Sequence, residues 1–474
     1  MKSLCFLIII GLILAAALTS NAQSGRAPAS DPVPAAASSP EVSVKQMFDE
    51  ANGYSKAKFS EFEQKKIAYS ENLRLRTEME QKQLAAKYAA IADARLTQTA
   101  DDLYYLGLLH WMAQNLDGTA SAMRKYLRDE GVAERDQTAR SLLAVIAAKK
   151  ADLTAAENYL SEYLRADPQK LTEISRMQNE IAKGYLNAKN FEKAAPHAAE
   201  GYRTAKEIVF GPGARARSLD EIIDAGMLVF EAESGAGRMK EAEAALEDLR
   251  QTALKTSNPS FYYFATDKLV TYQIATSRKP LAMQTFARVI AEVQTGLPAK
   301  EQRDEAIDRL KKREKQYKLL GEPAAELEHI DAWFPGPQKT LAQLKGKVVV
   351  LDFWATWCGP CFDAFPTLAE MHQDLGADGL VILGMTRYYG RGEANELANA
   401  AEVDFLKRFK EKQKLPYDFV VARDQWTQNV YAATSLPTAA VIDRKGIVRY
   451  LESGTNPSRI VELRDMVLKL LAEK

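Results

Sequence analysis

The sequence predicts a multidomain chain, with an all-α helical-repeat region followed by an α/β domain built on a mixed central sheet. Three observations carry this expectation. The stretch 43–320 is dominated by Ala, Leu, Glu, Lys, Arg and Gln, with apolar residues at helical spacing. Within it small residues recur at a near-constant interval, with Thr119, Ala156 and Ala194 separated by 37 and 38 residues. Beyond Gly321 the pattern changes to short apolar runs alternating with helical segments, and one such run leads directly into Cys358-Gly359-Pro360-Cys361.

The elements follow in order. Lys2 precedes an apolar run at 4–18, and the small residues Ser20 and Ala22 suit cleavage before Gln23, so residues 1–22 read as a cleaved signal peptide. The run is shorter than the ~20 apolar residues a membrane span needs. Export, most simply to a periplasm, is the expected localisation. Residues 23–42, rich in Ala, Ser and Pro, have little to bury and read as a flexible linker. The chain has 474 residues, room for two or three cores, and its 63 Lys and Arg balance 63 Asp and Glu. That balance argues against nucleic acid and against a polybasic membrane surface, leaving proteins or small thiols as partners.

In the helical region, 43–320, one helix pair spans 103–127, with Leu106-Gly107 and a turn at Asp117-Gly118. A second spans 142–168, with Ala144, Ala147, Ala156 and Leu160, closed by Pro168. A third carries Ala182, Tyr185, Asn190, Phe191 and Ala194, and Arg238-Met239-Lys240-Glu241-Ala242 marks a less regular fourth. These units resemble tetratricopeptide repeats, although their period exceeds the ~34 residues of that repeat. The resemblance implies a protein partner held on the helical repeats. An irregular helical bundle with ordinary Ala packing is the alternative. His110 and His197 are isolated and read as satisfied helix histidines, and the charges at 300–318 read as a solvated face.

The last domain, 321–474, is introduced by Ala332-Trp333-Phe334-Pro335-Gly336-Pro337, which breaks the helical pattern. Strands are expected at 347–353 and 380–385, and helices at 361–375 and 398–413. A hairpin then turns at Asp443-Arg444-Lys445-Gly446, joining 438–442 to 447–451, and a final helix covers 459–471. The βαβ order followed by a hairpin implies a mixed sheet with helices on both faces, its site at the carboxyl edge. A thiol there meets free backbone N–H groups and the positive end of the helix dipole, which favour the thiolate. With Cys5 inside the signal, only Cys358 and Cys361 remain. So close a pair constrains almost no loop and makes better sense as chemistry than as a staple.

The Cys358-Gly359-Pro360-Cys361 motif, flanked by Trp354 and Trp357 and followed by Pro366, is similar to that of the thioredoxin superfamily. The lead-in Leu344-Lys345-Gly346-Lys347-Val348-Val349-Val350-Leu351-Asp352-Phe353-Trp354 resembles the exported TlpA/ResA-like branch, as does the long insertion between Met385 and Leu436-Pro437-Thr438. The resemblance covers about 330–474 and implies a thioredoxin-like thiol-disulfide oxidoreductase acting on disulfide-containing protein substrates. It implies no metal and no cofactor beyond the redox-active pair, and a membrane-bound electron donor.

By the same resemblance Cys358, at an exposed helix start, is the attacking thiolate and Cys361 the resolving thiol. Gly359 and Pro360 keep the link tight, and Trp357 frames the thiol. Pro437 matches a loop proline that is cis in the superfamily, where backbone beside it, at Leu436, pairs with incoming polypeptide. Asp352 matches a buried acid that exchanges a proton with Cys361 through water; its alternative is a strand-end carboxylate satisfied locally. Three departures stand out. Phe362 and Ala364, with Asp363 nearby, replace the Arg and Glu common in the branch, which bears on partner choice. Gly384 stands where thioredoxin has a lysine partner for its acid. The loop Tyr388-Tyr389-Gly390-Arg391-Gly392 reads as solvated surface. Two other functions remain in view: a redox-sensing adaptor whose repeats bind a partner, and peroxiredoxin-like peroxide reduction. The latter is disfavoured because Trp357 directly precedes Cys358 and no Thr-x-x-Cys site is present. The direction of electron flow stays open.

Overall fold

The computed structural model describes residues 42–128, 131–212, 214–215, 217–391 and 398–473, so the expected signal peptide and all but the last residue of the linker lie outside the described residues. The first region consists of helices α1 (Val44–Gln64), α2 (Glu71–Asp93), α3 (Ala100–Met112), α4 (Leu116–Tyr126), α5 (Ala133–Lys149), α6 (Leu153–Leu164), α7 (Leu171–Asn187), α8 (Phe191–Phe210), α9 (Ser218–Gly235), α10 (Met239–Lys255), α11 (Pro259–Ala275), α12 (Lys279–Gly296) and α13 (Lys300–Leu319).

Their pairing has a local cause. The turns joining α3–α4, α5–α6, α7–α8, α9–α10 and α11–α12 each place one residue in the left-handed region: Gln114, Ala151, Lys189, Gly237 and Ser277. The next amide then reaches back to the preceding helix, as in Asn115 N–H to His110 C=O and Asp152 N–H to Ala147 C=O, both 2.9 Å. Asn115, Asp152 and Asn190 go on to cap the following helix through their side chains. Four of the five turns use a residue other than Gly, at about 1–2 kcal/mol each, so packing between the helices must hold them. That packing rests on Thr119, Ala156 and Ala194, all fully buried at the fourth position of α4, α6 and α8. Ala242 and Ala282 occupy the same position in α10 and α12, so the pattern runs one pair further than the sequence suggested.

The second region holds β1 (Ile330–Phe334), β2 (Val348–Phe353), α14 (Gly359–Leu375), β3 (Leu380–Arg387), α15 (Asn399–Lys412), β4 (Asp418–Ala422), α16 (Trp426–Val430), β5 (Thr438–Ile442), β6 (Val448–Ser453) and α17 (Pro457–Ala472). The six-stranded sheet has the order β1-β4-β3-β2-β5-β6, with β2, β3 and β4 parallel and β1, β5 and β6 joining antiparallel. The expected mixed sheet is present. Strands β1 and β4 were not anticipated; β4 lies between β3 and β1, and β1 forms that edge of the sheet.

Alternation along β2 divides its side chains between two cores. Val348 and Val350 face α14, α15 and α17, packing with Phe365, Leu368, Leu406, Leu463 and Val467. Val349, Leu351 and Phe353 face the opposite way, into a core shared with Tyr317, Leu320, Ile274 and Tyr431. This second face is therefore covered by α16 and by a core continuous with the helical region, rather than by a helical layer of its own domain. The junction adds backbone pairing: Gly321 N–H donates to Val448 C=O at 2.8 Å, and Val448 N–H donates to Glu322 C=O at 3.0 Å.

The charged face of α13 also departs from expectation at one residue. Most of it is exposed, but Arg313 is buried. Its guanidinium donates to Asp267 at 2.7 Å, to the Leu451 carbonyl at 2.5 Å and to the Glu452 carboxylate. Burial works against the charge of Asp267, and Arg313 outweighs it, leaving that carboxyl below its ordinary value. Arg313 faces inward because a partner from each region meets it there.

Candidate functional site

Strand β2 runs into a short turn and then α14, whose N-cap residue is Cys358, with Gly359 and Pro360 opening the helix. Cys358 N–H is used by the Ala355 carbonyl and Cys361 N–H by the Cys358 carbonyl, both at 3.0 Å, so the turn is closed by backbone bonds. Cys358 and Cys361 form a disulfide with Cα atoms 5.4 Å apart. The sequence placed Cys358 at an exposed position. The structure corrects this: in the disulfide Cys358 is 4% exposed and Cys361 1%, within the core cluster that includes Trp354, Ala355 and Phe365. Trp357, Gly359 and Pro360 are the exposed members of the motif.

Asp352 lies on the α14 face of β2, opposite Gly384 of β3 on one side and Ala439 of β5 on the other. It is buried, and its Oδ2 finds no hydrogen-bond partner among the described residues. Burial pushes the carboxyl up to about 7. A Cβ at Gly384 would stand 3.0 Å from Phe419 and 3.1 Å from the Trp354 indole nitrogen, so a lysine there would require these two side chains to give way. Tyr417 stands close enough that, after burial, the Asp352 charge raises its hydroxyl further. A cavity of about 20 Å³ adjoins Asp352 and is bordered by Pro437, Thr455 and Arg459. That volume accommodates one water.

The loop before β5 closes the site. The Leu436–Pro437 peptide is cis, Pro437 is buried and Leu436 half-buried. Pro437 C=O accepts from Gly454 N–H at 2.9 Å, and the Thr455 hydroxyl donates to Pro360 C=O at 3.0 Å. The end of β6 thus ties the proline loop to the dithiol turn.

Two further sequence readings change. Phe362 is half-buried against Phe365 and Phe409, at ring separations of 5.5 and 5.8 Å, and Ala364 is buried, so both departures from the branch pack inward. Tyr389 does not belong to a solvated loop. It is half-buried, meets Trp357 edge-on at 5.3 Å and is covered by Arg387 at 4.1 Å. The N–H groups of Tyr389 and Gly390 donate to the buried carboxylate of Glu402 at 3.0 and 2.9 Å, which fixes that loop over the site. Gly392 of the same motif lies outside the described residues. Glu402 carried no sequence signal, since an isolated Glu on an amphipathic helix looks like any solvated one. His110 pairs with Asp93 at 3.0 Å and His197 with Gln178 at 2.6 Å, both satisfied within the helical region.

Residues 321–467 match the family model described as Redoxin. The thiol-disulfide oxidoreductase ResA of Geobacillus thermodenitrificans is 30% identical over 120 residues, 25% of this chain and 62% of that protein. ResA of Bacillus subtilis is likewise 30% identical over 120 residues, 25% of this chain and 60% of that one. The chain therefore spans less than two thirds of these relatives' length. Among solved structures, a thiol:disulfide interchange protein of the thioredoxin family from Chlorobium tepidum is 22% identical, covering 32% of this chain and 96% of that chain with a TM-score of 0.26. Residues 321–467, which carry the dithiol, thus match the Redoxin model and are similar in sequence to the ResA thiol-disulfide oxidoreductases.

Proposed function

We propose that this chain is an exported thiol-disulfide oxidoreductase acting on protein disulfides through Cys358 and Cys361. The observation that carries the reading is the dithiol at the first turn of α14 with the buried Asp352 behind it, its carboxyl raised to about 7 and so able to take up and release a proton near neutral pH. In the reducing direction the Cys358 thiolate, favoured by the helix N-terminus, attacks one substrate sulfur. A mixed disulfide forms and the other substrate sulfur leaves as a thiolate. Cys361 then gives its proton to the Asp352 carboxylate, by way of a water, and attacks the Cys358 sulfur. The second substrate thiolate leaves as the Cys358–Cys361 disulfide forms, so the dithiol is oxidised by two electrons and the substrate disulfide is reduced by the same two. A membrane-bound dithiol donor would reset the pair, and the reverse sequence would oxidise a substrate. Export is supported by the apolar run at 4–18 and the small residues at 20 and 22. The helical region would hold a protein partner near the site and raise its effective concentration.

Insulin reduction by the full chain with dithiothreitol tests the reading. Turnover is expected for the wild type, none for Cys358→Ser, and accumulation of a substrate-linked adduct for Cys361→Ser on non-reducing gels. Wild-type chain that leaves insulin intact, while binding a partner in a redox-dependent way, would favour the adaptor function instead.

A further inference from the structure

An open groove of about 790 Å³ lies between α13 and the end of β6, and its wall includes Thr434, Ser435 and Ser453 beside the proline loop. Six cationic side chains and two carboxylates line it. Both carboxylates are already engaged, Asp308 with Lys312 at 2.6 Å and Glu452 with Arg313 and Arg459. Arg309 is held by Glu305 at 2.8 Å. Lys311 and Lys315 remain: both are exposed and neither has an acidic partner among the described residues. One turn apart on α13, they face the same side, a like-charge spacing that works against the helix itself. In a chain of zero net charge this is a local surplus of positive charge.

The groove reaches Thr434 and Ser435, next in sequence to the cis peptide at Leu436–Pro437. Ser435 C=O accepts from the Thr438 hydroxyl at 2.6 Å, which in turn meets the Ser453 hydroxyl at 2.7 Å, so the loop and the β6 end form one continuous wall. Two residues beyond Ser453, Thr455 holds the Pro360 carbonyl. A polypeptide pairing with the backbone at Leu436 therefore has this groove as its continuation.

We propose that the groove seats an acidic, extended stretch of the substrate polypeptide flanking its disulfide, with Lys311 and Lys315 reading the charge. This deepens the oxidoreductase reading and rests on it. The helical region thereby contributes directly to substrate selection, through a helix fused to the redox domain.

The test uses the full chain and peptide disulfides of one core sequence flanked by runs of Glu, Gln or Lys. The expected order of kcat/KM is Glu over Gln over Lys, with a Glu-to-Lys ratio of about tenfold at low ionic strength that shrinks as salt is added. The double reversal Lys311→Glu/Lys315→Glu is expected to invert the order, a gain for the Lys peptide that misfolding cannot produce. Equal kcat/KM across the three peptides, or an order the double reversal leaves in place, overturns the proposal. If the wild type reduces none of them and leaves cystine intact as well, the oxidoreductase reading fails. The groove is then decided by fluorescence anisotropy with the Glu peptide carrying Ser in place of Cys. Binding that weakens in the double reversal upholds it, and absence of binding overturns it.

Discussion

Replacing Asp352 by Asn keeps the size of the side chain and removes its charge. Burial raises the carboxyl from 3.8 to about 7. At about 1.4 kcal/mol for each tenfold change in proton affinity, ionised Asp352 destabilises the folded chain by about 4 kcal/mol. The sign follows from proton binding. The folded state holds this proton more tightly than the unfolded chain, so the contribution is fully favourable below pH 3.8, is lost as pH rises towards 7, and is flat beyond. Asp352→Asn is therefore expected to match the wild type near pH 4 and to exceed it by up to about 4 kcal/mol at pH 8. Urea unfolding of the oxidised proteins at pH 4, 6 and 8 measures this, with circular dichroism and tryptophan fluorescence recorded together so that coincident transitions license a single free energy. A stability difference independent of pH, or one that shrinks as pH rises, would refute the reasoning. In turnover the same variant lacks a proton acceptor, so mixed disulfide is expected to build up because its resolution slows.

Three other perturbations probe the frame around the site. Arg313→Met leaves Asp267 as an uncompensated buried charge and takes from Glu452 one of its two arginine partners, and is expected to cost about 3–5 kcal/mol in urea unfolding, with faster proteolysis at the junction near Gly321. Ala194→Leu overfills a fully buried helix contact and is expected to cost about 1–3 kcal/mol, read from thermal melts. Tyr389→Ala removes the edge-on contact with Trp357 and is expected to cost about 0.5–1.5 kcal/mol. Its signature is a red-shifted Trp357 emission, isolated by subtracting Trp357→Phe.

Much of the fold was legible because it is written in local spacing. Helical periodicity and the recurrent small residues at Thr119, Ala156 and Ala194 mark the helix pairs, since a close crossing admits only small side chains there. The Cys358–Cys361 spacing at a strand-to-helix turn locates the dithiol, and period-two alternation puts Asp352 on the face of β2 toward α14. Strands β1 and β4 were missed because what makes them strands is their pairing with each other and, for β4, with β3, between segments far apart in sequence.

By itself the sequence determined which residues share a helix face, which share a strand face and where two thiols stand close, because those relations follow from covalent spacing. Only the tertiary structure decided what meets each face. It buried Cys358 in the oxidised pair, set Tyr389 on Trp357 and turned Arg313 from a solvated row toward Asp267 and Glu452. It also merged the helical region and the sheet into one core, and so placed Lys311 and Lys315 beside the dithiol domain. The pairs Trp357–Tyr389, Arg313–Asp267 and Arg313–Glu452 each join residues of separate elements, and no pattern within a single element encodes its partner.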